Sequence, residues 1–81
     1  METLKDIIST NADILGGLPV FAGTRVPVET LFFHVEKGIT IDEFLEDFPS
    51  VSKKQVISVL EVANKLITSD HIDKIYEIAS L

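Results

Sequence analysis

From Pro27 onward the apolar positions recur with the period of an α-helix. Val28, Leu31, Phe32 and Val35 fall at i, i+3, i+4 and i+7, on one helical face, while Glu29, Glu36 and Lys37 face elsewhere. Pro27 suits the first helical position, where a missing N–H costs nothing, and Gly38 stops the helix. A second start is marked by Thr40 and Glu43, a T-x-x-E capping box, with Ile39 and Phe44 spaced as its hydrophobic staple. Ile41, Phe44, Leu45 and Phe48 give that helix an apolar stripe, and Pro49 bars its continuation. The device repeats at Ser52 and Gln55, with Val51 and Val56 as the staple. The third helix has the stripe Val56, Val59, Leu60, Ala63, Leu66 and Ile67, with Lys53, Lys54, Ser58, Glu61 and Lys65 outward. After Thr68-Ser69-Asp70, the spacing of Ile72, Ile75, Tyr76 and Ala79 predicts a short final helix.

The pattern upstream is of another kind. Leu4, Ile7 and Ile8 fit a short strand or one helical turn, and so few residues do not separate the two. Gly16 to Val28 then packs three of the four glycines and two of the three prolines into one stretch. Gly16-Gly17 supplies a left-handed turn, Pro19 an extended entry, and Ala22-Gly23 the tip of a short hairpin between Val20/Phe21 and Arg25/Val26. A phosphate-binding loop is the competing reading and fits poorly, since neither the Gly-Lys-Ser/Thr ending nor the G-x-G-x-x-G spacing occurs.

Together these elements predict a mainly α fold: a three-helix, helix-turn-helix core of the homeodomain or winged-helix kind, with a short N-terminal β-ribbon and a C-terminal helix. The turn of the motif is Phe48 to Val51. A single domain is expected over residues 1–81, divided into an arm and ribbon (1–27), the core (28–67) and the last helix (69–81).

The string Gly17-Leu18-Pro19-Val20-Phe21-Ala22-Gly23-Thr24-Arg25-Val26-Pro27-Val28 is followed by Gly38-Ile39-Thr40, Glu43, Phe48-Pro49 and the helix from Ser52. This order resembles the small bacterial and archaeal family called domain of unknown function 433, over roughly Ile7 to Ile67. The resemblance implies a helix-turn-helix-like core, frequent encoding beside a PIN-like nuclease, and a role as the antitoxin of a toxin–antitoxin pair. On that reading the partner is a PIN-like ribonuclease toxin, and Arg25 with Ile72, Ile75 and Tyr76 of the last helix are the partner-binding residues.

Composition adjusts this picture. An 81-residue chain buries only about 60% of the surface its unfolded form exposes, so a homodimer is expected, through the hairpin strand and the apolar face of the last helix. There is no cysteine, hence no disulfide framework or thiolate metal site. No apolar run approaches a membrane span, and the first residues lack a signal-peptide pattern, so no membrane association and a cytoplasmic location are expected. The net charge of −6 argues against general attraction to nucleic acid.

Operator DNA remains a candidate partner through the third helix, where Lys53, Lys54, Gln55 and Ser58 stand at the positions that meet a major groove. Asp42, Glu43, Glu46 and Asp47 on the preceding helix would repel phosphates, and Gln55 is also needed as a cap. The alternative to an antitoxin is therefore a DNA-binding regulator without a toxin, or a structural dimerisation module. The four acids read as a solvated face rather than a cation site. His34 and His71 have no cysteine to join them, and no serine sits in a nucleophile elbow, so neither a metal, a cofactor nor an enzymatic activity is called for. The commonest role for Arg25 would be structural, tying the hairpin to carbonyls or to Glu29. The sharper one is to enter the acidic cluster of a metal-dependent nuclease.

Overall fold

The computed structural model describes residues 4–69 and residue 73. The chain runs α1 (Leu4–Ile7), β1 (Ile8–Ser9), a tight turn at Leu15–Gly17, β2 (Val20–Phe21), α2 (Val28–Glu36), α3 (Ile41–Asp47) and α4 (Lys53–Thr68). It is mainly helical, with one small antiparallel sheet.

The N-terminal ambiguity resolves as both readings in succession: a helical turn ends at Ile7, and Ile8–Ser9 pairs with β2 in the register Ile8↔Phe21 and Ser9↔Val20. On its other side β2 meets the returning limb of the hairpin, where Val20 bridges Pro27 and the Phe21 N–H donates to the Val26 carbonyl at 3.0 Å. Leu15, Gly16 and Gly17 all have positive φ, so the double glycine does turn the chain left-handed. Leucine shares in that turn at φ 51°, a conformation L side chains adopt at some cost.

Both capping boxes are formed as the spacing predicts. Thr40 Oγ1 accepts the Glu43 N–H at 3.1 Å and Glu43 Oε2 accepts the Thr40 N–H at 3.4 Å. Ser52 Oγ accepts the Gln55 N–H at 3.1 Å and Gln55 Oε1 accepts the Ser52 N–H at 3.0 Å. Each pair satisfies backbone donors that a helix start leaves without partners. Helix α2 begins one residue later than expected: Pro27 is extended at φ −62°, ψ 139° and acts as the N-cap, with Glu29 in the first turn. At its other end the Gly38 N–H donates to Val35 at 2.9 Å and the Ile39 N–H to His34 at 3.0 Å, a Schellman closure around a glycine at φ +81°.

The core joins Ile7 of the arm, Phe21 of the ribbon, Val28 and Leu31 of α2, Phe44 of α3, and Val51, Val56 and Val59 at and within α4. Phe21, Leu31, Phe44 and Val56 are fully enclosed. Helix α1 packs on α4 and α2 on α3. Two predicted stripes outrun this core. Val35 is 45% exposed at the end of α2, and Leu66 and Ile67 are 52% and 58% exposed at the end of α4. Val59 is the last buried residue of α4, so the helix continues beyond the other described elements that could cover it. The connection between α3 and α4 spans residues 48–52, with Ser52 as the N-cap of α4 as its capping box predicts.

Candidate interaction surface

The hairpin is built from a small number of bonds. The Thr24 N–H donates to the Phe21 carbonyl at 3.0 Å, with Gly23 at φ +77° and Ala22 outside the positive-φ region, the sign pattern of a type II turn. The Thr24 hydroxyl donates to the same carbonyl at 2.8 Å and accepts the Val26 N–H at 3.0 Å. A simple ladder would have run a bond from Val26 N–H to Phe21 O, and the hydroxyl relays it instead. Threonine between Gly23 and Arg25 is therefore hairpin chemistry.

Arg25 is exposed on the returning limb. Among the described residues it makes no hydrogen bond and no ion pair, with carbonyls, Glu29 or anything else. The structural tie that its position suggested is absent. The backbone on either side is fixed by Thr24 and by the Val20↔Pro27 bridge, so the guanidinium extends from an anchored base.

What ties the hairpin to the helices is Gln55. Its Nε2 donates to the Ala22 carbonyl at 2.9 Å, while its Oε1 is taken up in the α4 cap. The amide expected to read a base edge is thus engaged at both ends. Lys53 and Lys54 are exposed in the same first turn, and Ser58 is half-buried one turn further along. Asp42, Glu43, Glu46 and Asp47 all face solvent on α3. The positions Ile72, Ile75 and Tyr76 lie outside the described residues.

His34 belongs to the aromatic packing. Its ring meets Phe44 edge-on at 5.4 Å and Phe48 at 5.5 Å, and Nδ1 pairs with the Thr30 carbonyl at 2.8 Å. Among the described residues no group of three or more histidine, cysteine or acidic side chains is arranged to hold a metal ion. No pocket opens into the described fold, and none of its helices is long and apolar enough to cross a membrane.

These features define a small, mainly helical domain whose distinctive surface is a hydrogen-bonded cationic hairpin tied to the start of its longest helix. The chain belongs to the family described as protein of unknown function (DUF433), whose model matches residues 8–63, from β1 through most of α4. It is 38% identical over 68 residues to uncharacterized protein y4eO of Sinorhizobium fredii (strain NBRC 101917 / NGR234). That match takes in 82% of this chain and 31% of the relative, so the chain spans less than a third of the length of the curated protein it matches. No solved structure matches it.

Proposed function

We propose that this protein is a non-enzymatic, antitoxin-like binder that neutralises a PIN-like ribonuclease, with Arg25 as the residue that enters the nuclease's acidic cluster. The observation that carries the reading is the state of Arg25: exposed, without an intramolecular partner among the described residues, and mounted on a backbone whose hydrogen bonds are made. The backbone beneath it needs no ordering on binding, and the planar fork of the side chain matches carboxylates two bonds at a time. Residues 69–81, with Ile72, Ile75 and Tyr76, supply a second contact in this proposal.

The same reading takes α3 and α4 as a helix-turn-helix, with α2 completing a three-helix core, through which a cytoplasmic homodimer represses its own operon. The returning limb of the ribbon is a poor dimer seam, because Pro27 has no N–H to offer on its outer edge. The exposed apolar end of α4 is the better one.

Co-purification with the product of the adjacent gene, followed by growth rescue, tests the first part. Rescue that needs this protein supports it, and failure to bind the nuclease overturns it. The exposure of Lys53 and Lys54 in one helical turn favours DNA binding as the second reading. A gel shift on the protein's own promoter decides that part, since phosphate contacts must weaken as salt rises.

A further inference from the structure

Gln55 and Ala22 are separated by 33 positions in sequence and joined by a hydrogen bond of 2.9 Å. The residue that Gln55 grips is held through its preceding peptide group as well, because the Ala22 N–H donates to the Ile7 carbonyl at 2.8 Å. The turn is thus clamped between the N-terminal arm and α4. The other end of the same glutamine amide is oriented by Ser52, which gives its N–H to Oε1 at 3.0 Å and its hydroxyl at 3.4 Å.

We propose that Gln55 is a positioning residue: it fixes the Arg25 hairpin against the first turn of α4, so that Arg25, Lys53 and Lys54 form one composite surface instead of two independent ones. Capping alone needs only an acceptor at this position, and glutamate supplies a better one beside a helix N-terminus. Glutamine adds the donor, and the structure places that donor on the hairpin. The consequence for Arg25 rests on the antitoxin reading, whereas the tie is a property of the free protein and is tested there.

The substitution Gln55→Glu separates the two roles, because it keeps the acceptor and replaces the donor with a carboxylate that the Ala22 carbonyl repels. Amide exchange of the free protein is the primary measurement. Exchange at Phe21, Ala22, Thr24 and Val26 should accelerate on the order of tenfold, the loss of one neutral hydrogen bond, while the position-55 amide stays protected by Ser52. Ser52→Ala should also accelerate the hairpin amides, although Ser52 does not touch them, because it removes the group that orients the glutamine. Hairpin exchange within twofold of the natural protein in both variants overturns the inference and leaves Gln55 a cap only. A Gln55→Glu chain that exchanges uniformly faster at every site also overturns it, since the effect would then be global. The consequence is read by capturing the adjacent gene's product: Gln55→Glu should weaken capture about tenfold with the melting midpoint little changed. If the natural protein captures nothing, the antitoxin reading falls, and the exchange result still decides the tie.

Discussion

The hydroxyl of Thr24 donates to the carbonyl of Phe21 at 2.8 Å, and Phe21 is one of the fully buried rings of the core. One side chain in an exposed turn therefore holds the backbone that carries a central core residue. Thr24→Val keeps the shape and removes both hydroxyl bonds, leaving the half-buried Val26 N–H without its acceptor and the Phe21 carbonyl with the residue-24 N–H alone. The expected cost is about 1–3 kcal/mol, and Thr24→Ser should recover most of it. Urea unfolding of the two variants checks the difference. Equal stability of Thr24→Val and the natural protein would remove the hydroxyl relay from the account.

The two capping boxes should behave alike in isolation and differ in reach. Thr40→Ala removes the acceptor for Glu43 N–H and is expected to cost about 1 kcal/mol. Ser52→Ala should cost at least as much, because the box it breaks also orients the Gln55 amide that holds Ala22. A thermal melt of each single variant measures this ordering, and a Thr40→Ala variant clearly less stable than Ser52→Ala reverses it.

Gly38 gives a cleaner backbone test. Its φ is +81° and nothing lies within 4 Å of where a Cβ would stand, so a substitution meets no clash and pays only for the left-handed conformation. Gly38→Ala should destabilise by about 1 kcal/mol, and Gly38→Asn by less, since asparagine tolerates this region. A loss above about 3 kcal/mol in denaturant titration would point to a contact beyond the helix terminus itself.

What the sequence discloses depends on how far apart the interacting groups are. Thr40 with Glu43 and Ser52 with Gln55 were legible because a capping box closes within three residues and its chemistry names its members. The stripes of α2 and α4 were legible as helix, but their burial was not. Periodicity continues through Leu66 and Ile67, whereas the core among the described residues stops near Val59. The Ile8↔Phe21 pairing was hidden because strands of two residues carry no period to read. The Gln55 link to Ala22 was hidden for a different reason: it ends on a backbone carbonyl, which every residue possesses. Arg25 stood out as the basic residue of the glycine-rich stretch, yet whether it was a tie or a free end required the positions of the carbonyls around it.

That free end gives the sharpest test of the proposed function. A side chain with no partner among the described residues contributes little to the fold, so Arg25→Ala should change stability by no more than about 0.5 kcal/mol. The same change should abolish rescue from the nuclease, because an acidic cluster left without its cation partner stays available to metal and substrate. Arg25→Lys keeps the charge and loses the planar, two-bond recognition of carboxylates, so it should restore binding only in part. The ordering expected in a rescue assay is natural protein, then lysine, then alanine, with nearly superimposable melting curves. A folded Arg25→Ala chain that neutralises as well as the natural protein would move the partner contact away from the hairpin, towards residues 69–81. Equal loss in the lysine and alanine variants would instead mean that guanidinium geometry, and not charge, carries the interaction.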